Sequence, residues 1–342
     1  MKDLILQLCS CDGVSGDEWD VANLAQKQLS KFVETFKDER FPNVLGRIGK
    51  KNSSKRILLD AHIDQIGFIV TYVKDGFLKI SPCGGIDKRI FPGICVEIFG
   101  KEKIIGTVCS IPLHLSSKKY EQPLEIEEVV IDSFLSEEKA KELIPIGSYG
   151  NFFAPSIQLL ENKICSKGLD NRSGVAVVIK CAELLYKSDI NWEDLDCEVF
   201  FLLSTKEETG ESFGAKVGTW ATNPTEAISV DVSFANQPNI NKKNLGELSK
   251  GPMIGISPVL NRKMSDKMIE IAKENKIPYQ LEIMSNRTAT NADFISVTRS
   301  GVKTSLVSIP LRYMHSPCEV IDINDLENTA KLLSLYVKSQ VV

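Results

Sequence analysis

The residues of this sequence best suited to chemistry are a histidine and several acids that each follow an apolar run. His62 and Asp64 come just after the apolar run at 57–59. Because residues i and i+2 of an extended backbone project from the same face, the two side chains should lie side by side. A carboxylate beside an imidazole can accept its second ring N–H and fix which nitrogen is free to bind a metal. Alone, the pair is more typical of a strand end with two solvated polar groups.

Further polar groups follow apolar runs later in the chain. Asp170 precedes a predicted helix, Glu207 and Glu208 follow the run at 199–204, and Asp231 and His315 come after two more runs. Each residue alone has an ordinary explanation as a helix cap, a turn or a surface loop. Because ligands of α/β proteins are held at the carboxyl ends of central strands, their joint occurrence favours one shared site. The remaining histidine, His114, is assigned no ligand role.

This set of residues has the composition of a two-metal hydrolase. Imidazoles and carboxylates suit zinc, cobalt or manganese, and one bridging carboxylate can hold two ions about 3.5–4 Å apart. The carboxylates of Asp170, Glu208 and Asp231, with one hydroxide, would balance two divalent ions, whereas without metal they would repel each other. Glu207 and Glu208 should point in different directions, so that one can bind metal while the other handles a proton of water. The sequence therefore predicts metal-assisted hydrolysis.

The chain around these residues alternates predicted helices and strands. Helical periodicity at 173–186 and 324–338 alternates with buried-strand runs at 199–203 and 304–309, which indicates an α/β fold. From about 70 to 157, short β runs separated by Gly and Pro turns predict a small all-β module, such as a barrel, inserted into the α/β domain.

Near the start of the chain, Ser15 and Glu18 have the Ser-x-x-Glu spacing of a capping box. Apolar residues recur with nearly helical spacing from Val21 to Val33. The two signals together predict an amphipathic helix of about 18 residues.

Composition excludes several classes of function. With 342 residues, 43% hydrophobic residues and a net charge of −4, the chain is typical of a globular enzyme, and no nucleic-acid partner is expected. No apolar run approaches the roughly 20 residues of a membrane-spanning helix, and no secretory signal is recognised, so we expect a cytoplasmic protein. The nine cysteines form no Cys-x-x-Cys pair, which favours reduced structural thiols.

Together, the motifs resemble the M42 family of cobalt- or zinc-dependent aminopeptidases, and the resemblance runs nearly from end to end. The motifs that occur in the family's order are Gly-Val-Ser-Gly at 13–16, Ala-His-Ile-Asp-Gln-Ile-Gly at 61–67, Gly-Gly-Ile-Asp-Lys-Arg at 84–89, Gly-Leu-Asp-Asn-Arg at 168–172, Glu-Glu-Thr-Gly at 207–210, Asp-Val-Ser at 231–233 and His-Ser-Pro at 315–317.

The resemblance implies specific roles for the site residues. His62 and Asp231 would complete one metal site, Glu208 and His315 the other, and Asp170 would bridge two zinc or cobalt ions. Glu207 would be the general base, Asp64 would orient His62, and the peptide bond between Asp170 and Asn171 would be cis.

The resemblance also implies an architecture. Residues 1–69 and 158–342 would form a three-layer α/β/α catalytic domain, and residues 70–157 would form an inserted β-barrel that serves as a dimerisation or lid domain. The protein would act on short peptides as a homo-oligomer, built from dimers that can assemble into a dodecamer.

The sequence departs from the family pattern near the expected substrate pocket. Lys206 replaces a usual Gln, Gln65 replaces a usual Glu, and Asn291 replaces a usual Asp. Thr290 and Asn291 are candidate substrate-binding residues, because their segment borders that pocket in the family. These departures leave two alternatives open, a metal-dependent deacylase or amidohydrolase of the same fold and an inactive metal-binding assembly protein.

Overall fold

The computed structural model describes residues 1–115, 125–240 and 245–341. The strands are β1 Glu34–Lys37, β2 Val44–Gly49, β3 Lys55–His62, β4 Gly67–Lys74, β5 Phe77–Cys83, β6 Cys95–Phe99, β7 Lys103–Val108, β8 Val130–Asp132, β9 Tyr149–Phe152, β10 Ile157–Gln158, β11 Lys163–Ser166, β12 Cys197–Ser204, β13 Glu226–Phe234, β14 Met253–Ile256, β15 Gln280–Ile283, β16 Lys303–Leu311 and β17 Glu319–Asp322. The α-helices are α1 Lys2–Ser10, α2 Trp19–Leu29, α3 Glu137–Leu143, α4 Leu169–Tyr186, α5 Phe213–Thr222, α6 Arg262–Glu274, α7 Asn291–Ile295 and α8 Ile323–Ser339.

The largest sheet has the strand order β1-β2-β12-β3-β13-β16-β14-β15. Its four central strands, β12, β3, β13 and β16, run parallel to one another. Parallel strands end at the same edge of a sheet, and here Ser204 at the end of β12 is in register with His62 at the end of β3. This edge is where an open α/β sheet holds its ligands.

Both faces of the central strands are covered by helices. Because successive side chains of a strand point to opposite faces, neighbouring residues enter different cores. Helices α1, α2, α4, α6 and α8 cover one face and contribute to a core with Leu59, Phe201 and Val230, whereas α5 and α7 cover the other face and pack near Leu58 and Phe200. The predicted three-layer α/β arrangement is confirmed.

A closed β-barrel is formed between the two parts of the chain that build the large sheet. Its strand order is β4-β5-β8-β7-β6-β9, and its interior is filled by apolar side chains that include Phe68, Val96 and Ile131. The first barrel strand begins at Gly67, only five residues after His62, so the barrel leaves the sheet directly beside the predicted site. The predicted β-barrel is therefore present. A separate three-stranded sheet, β10-β11-β17, lies outside the barrel and the large sheet.

The capping-box prediction for Ser15 and Glu18 is wrong. Helix α2 has 11 residues and begins at Trp19, with no side-chain cap from Glu18. Ser15 lies in a turn instead, and its N–H donates to the carbonyl oxygen of Gln65 at 3.0 Å. The Glu18 carboxylate accepts the backbone N–H groups of Gly16 and Lys206, so it ties the first segment to the loop that carries the two adjacent glutamates.

None of the helices within residues 1–115, 125–240 and 245–341 combines the length and the apolar character needed to cross a bilayer.

The core beneath the site gives a test of the fold. Leu59 lies in β3 and is fully buried, so Leu59→Ala should lower the free energy of unfolding by about 3 kcal/mol through lost burial and the cavity it leaves. Leu160 is 88% exposed, and the matched change Leu160→Ala should cost less than about 0.5 kcal/mol. Urea unfolding of both variants with chelator present measures this difference, and equal losses would contradict the placement of β3 in the core.

Candidate metal centre

The predicted site residues meet at the carboxyl edge of the central sheet. His62 is the last residue of β3, Asp231 lies in β13, and Asp170 lies in the first turn of α4. Glu207 and Glu208 begin a short helical turn after β12, and His315 follows β16. All of these residues are buried or half-buried, as expected for groups that share one enclosed site.

The first half of the cluster surrounds the imidazole of His62. Its Nε2 lies 3.3 Å from an Asp170 carboxylate oxygen, Oδ1, and 3.6 Å from Oδ1 of Asp231. A Glu207 oxygen, Oε2, is 4.0 Å from the same nitrogen. The ligand atoms of His62, Asp170 and Asp231 all lie within 4.8 Å of one another, so a single ion could contact all three.

The second half of the cluster surrounds the imidazole of His315. Its Nε2 lies 3.3 Å from Oδ2 of Asp170 and 3.3 Å from Oε2 of Glu208. The two oxygens of Asp170 therefore face two different imidazoles. This arrangement is the one that a carboxylate needs in order to bridge two ions. A third possible grouping combines His62 with both Glu207 and Glu208.

The other nitrogen of each imidazole is engaged away from the cluster. Nδ1 of His315 lies 2.8 Å from the carbonyl oxygen of Gly85, which belongs to the segment after β5. Nδ1 of His62 lies 3.2 Å from the carbonyl oxygen of Asp64 and 3.4 Å from its carboxylate. An Nδ1–H donated in this way leaves Nε2 free to bind a metal, which is the usual arrangement around metal-binding histidines.

Two further carboxylates hold the backbone around the cluster. Asp64 accepts the backbone N–H groups of Glu207 and Glu208, each at 3.1 Å, in addition to its contact with His62. The Glu319 carboxylate accepts the backbone N–H of Asp170 at 3.1 Å and the backbone N–H of His315 at 2.8 Å. Glu319 was not predicted from the sequence. Its only signal there is an acid four residues after His315, directly before the apolar pair Val-Ile of β17.

The cluster is strongly acidic for a buried site. Burial raises the pKa of Glu207 to about 8, and the carboxylates of Asp231 and Asp64 act in the same direction. Burial also raises the pKa of Glu208, and the negative charge of Asp170 raises it further. Although burial acts to raise the pKa of Asp170, hydrogen bonds with His315 and His62 keep it below its ordinary value.

The same acids stabilise the protonated form of both imidazoles. Burial acts to lower their pKa values, but hydrogen bonds with Asp170 raise the pKa of His62 well above its ordinary value and that of His315 to about 10. The acids therefore attract positive charge strongly. Neutral imidazoles and ionised carboxylates are also the donor set of zinc, cobalt and manganese, so the residues present fit divalent ions.

A cavity of about 390 Å³ opens from the cluster. It is lined by the predicted metal-binding residues together with residues of β13, β15 and the segment 287–290, including Thr290. Asn291, the other substrate-binding candidate, is not among the described residues that line it. Its amide nitrogen donates to Asp60 at 2.8 Å and Ser204 at 3.0 Å behind the site. The Asn291 side chain is thus buried beneath the strand ends, and its contact with substrate stays a prediction.

The other predicted details also have structural outcomes. The peptide bond between Asp170 and Asn171 is cis, as the resemblance implies. Lys206, which departs from the family pattern, has a left-handed backbone with φ of 57°, and its ammonium group lies 5.3 Å from the ring centre of Phe213. The cysteines of the chain are all free, as predicted.

Comparison with known proteins agrees with this geometry. The model of the M42 glutamyl aminopeptidase family matches residues 42–332. A lysyl aminopeptidase of Pyrococcus furiosus is 32% identical over 96% of this chain and 94% of its own length.

Solved structures give the same result. An aminopeptidase from the archaeon Desulfurococcus kamchatkensis superposes with a TM-score of 0.88 at 30% identity, over 98% of this chain and 94% of that one. The Pyrococcus horikoshii TET1 peptidase, which can assemble into a tetrahedron or a large octahedral shell, has a TM-score of 0.84 at 27% identity over 98% of both chains. The chain therefore belongs to the M42 family of aminopeptidases and is a peptidase.

Proposed function

We propose that this peptidase uses two divalent metal ions to remove the first residue from short peptides. The observation that carries this proposal is the position of Asp170, whose two carboxylate oxygens each lie 3.3 Å from a different imidazole at one end of the cavity. A centre of this kind is suited to hydrolysis of an amide, because two ions can act on the same reacting group.

The residues that would hold the ions divide into two sets that share Asp170. His62 and Asp231 would complete one set, and Glu208 and His315 would complete the other. Two zinc, cobalt or manganese ions bound there would polarise the scissile carbonyl and lower the pKa of a water molecule. Asp64 and Glu319 would keep the ligands in place through the backbone hydrogen bonds they accept.

Glu207 is the best placed group to move the proton. Its carboxylate lines the cavity beside His62, and Asp64 holds its backbone N–H. We assign it to take a proton from the attacking water and deliver that proton to the leaving amine as the peptide C–N bond breaks.

The barrel is proposed to serve in assembly. Residues 70–157, which contain most of it, would form a dimerisation or lid domain, and residues 1–69 and 158–342 would form the catalytic domain. Large apolar side chains on this module are exposed, with Phe134 at 69% and Ile146 at 67%. Contact with another subunit would remove such side chains from water. The shells formed by the Pyrococcus horikoshii relative support a similar assembly here.

The first prediction concerns proton transfer. Glu207→Gln should keep two ions per chain and lower kcat on an aminoacyl p-nitroanilide at least about 100-fold, because an amide cannot accept the proton of the attacking water. Glu211→Gln is the matched control, since Glu211 is exposed and pairs with Lys216 on the surface. Steady-state kinetics with metal analysis would refute the assignment of Glu207 if both variants were equally active.

The number of ions can be tested with the three histidines of the chain. His62→Ala and His315→Ala should each bind about one ion fewer per chain than the wild type, because each change removes a ligand from one site. His114→Ala should keep both ions, since His114 is exposed and lies outside the cluster. Metal content is measured by mass spectrometry after gel filtration, and unchanged content in the two cluster variants would contradict the proposed ligands.

Assembly is tested by the mass of the particle in solution. A closed tetrahedral shell has twelve equivalent positions, so light scattering of a complete shell should give about twelve times the chain mass of 38.0 kDa. Free dimers would instead give twice the chain mass. Phe134→Glu should shift the particle to smaller species, because it would place a charge in the proposed contact. A wild-type monomer would contradict the role given to the barrel.

A further inference from the structure

The cavity contains a half-buried acid that the proposed metal centre does not use. Glu282, on β15, lines the same cavity as the cluster. Both of its oxygens accept hydrogen bonds from hydroxyl groups, one from Ser233 and the other from Ser308 at 2.6 Å. The carboxylate is therefore fixed in one position on the cavity wall.

These two serines locate Glu282 relative to the reacting centre. Ser233 lies two residues after Asp231 on β13, and Ser308 is in register with Asp231 on the neighbouring strand. Two residues of a strand span roughly 6.6 Å, and neighbouring strands lie about 4.8 Å apart. The Glu282 carboxylate is thus about one long side chain away from the proposed metal centre. That distance is set by regular sheet geometry.

Among the residues that the structure describes, the Glu282 carboxylate has no cationic partner, because no Lys, Arg or His nitrogen lies within salt-bridge distance of its oxygens. Burial raises the pKa of Glu282, and the nearby Asp231 acts in the same direction. The carboxylates of the cluster would be balanced by two divalent ions, but that balance does not include Glu282. A cation that enters the cavity would therefore find in Glu282 an acid whose charge the two ions do not balance.

The other walls suit an aliphatic chain that ends in a charge. Met284, Met314 and Phe234 line the cavity together with Glu282. Methionine side chains adapt to irregular aliphatic groups, and lysine and arginine typically bury their methylene stems along such surfaces while the charged end reaches a polar partner.

We propose that Glu282 selects peptides whose first residue is lysine or arginine, by receiving the ammonium or guanidinium group of that side chain. The proposal rests on the aminopeptidase function proposed above, in which the first peptide carbonyl lies at the metal centre. The side chain of the same residue then has to occupy the remainder of the cavity, where Glu282 lies. The half-buried carboxylate should give more selectivity than a fully exposed charge, because water screens it less.

Arg287, on the same cavity wall, could select the opposite charge in the first residue of the substrate. Its side chain is exposed, and it would favour an acidic first residue if it governed selection. An exposed guanidinium exchanges its partner with water at little cost, so its contribution to discrimination should be small. A preference for acidic substrates would therefore identify Arg287 as the selecting group and exclude Glu282 from that role.

The test compares lysyl and norleucyl p-nitroanilides, because norleucine has the same aliphatic stem as lysine without the ammonium group. Metal-loaded wild type should show a kcat/KM for the lysyl substrate at least about tenfold above that for the norleucyl substrate, and a glutamyl substrate should be poorest. Glu282→Gln, which keeps the shape and hydrogen-bonding capacity of the side chain, should reduce the lysyl-to-norleucyl ratio about 10- to 100-fold, mainly through KM. Arg287→Gln is the matched control and should leave that ratio within about threefold.

A second measurement does not depend on turnover. Calorimetry should show that free lysine binds the metal-loaded wild type more tightly than norleucine, and that Glu282→Gln removes the difference. An unchanged ratio in that variant, or hydrolysis of norleucyl or glutamyl substrates in preference to lysyl ones, would overturn the role of Glu282 alone. Failure to hydrolyse any substrate with a free amino group would overturn the proposed function and this inference together.

Discussion

Mutual repulsion of buried carboxylates is the constraint on which the rest of the site depends. Asp170, Glu207, Glu208 and Asp231 converge where four strands and loops meet, and burial makes their negative charges costly. In the structure, two imidazoles supply the closest positive charge. Divalent ions would supply more charge in less space. The same repulsion that would destabilise an empty site would therefore favour tight metal binding.

The surrounding fold holds these acids together despite their repulsion. The parallel strands bring His62 and Asp231 to one edge, and Asp64 and Glu319 fix the neighbouring backbone through paired hydrogen bonds. The segment after β5 adds the carbonyl oxygen of Gly85, which contacts His315. Because Gly85 leads from one barrel strand to the next, the barrel module takes part in orienting a proposed metal ligand. The proposed assembly through the barrel would thus be structurally connected to the proposed chemistry at the sheet edge.

Much of the fold could be predicted from the sequence, and the missed elements have physical explanations. Buried runs such as the one that forms β12 are hydrophobic on both faces, so their pattern is clear. The capping box predicted for Ser15 and Glu18 was wrong because a local sequence signal carries no information about the contact of Ser15 with Gln65, which is distant in the chain. Helix α1 was not predicted, since it has only nine residues and no side-chain cap marks its start.

The site could be predicted where polar residues follow strands, and not where tertiary packing decides their role. The histidines and acids of the cluster were found because strand ends converge in parallel sheets. Glu282 and Glu319 lie in the short strands β15 and β17, and no local spacing links them to the cluster. The family resemblance predicts that Asn291 binds substrate, whereas in the structure its amide donates hydrogen bonds to Asp60 and Ser204.

A crystal structure of the metal-loaded protein, with anomalous difference maps recorded at the zinc or cobalt edge, tests the proposed centre most directly. Two peaks about 3.5–4 Å apart are predicted on either side of the Asp170 carboxylate, one near His62 and the other near His315. A single peak, or peaks that do not contact Asp170, would contradict a bridged pair of ions as the basis of catalysis.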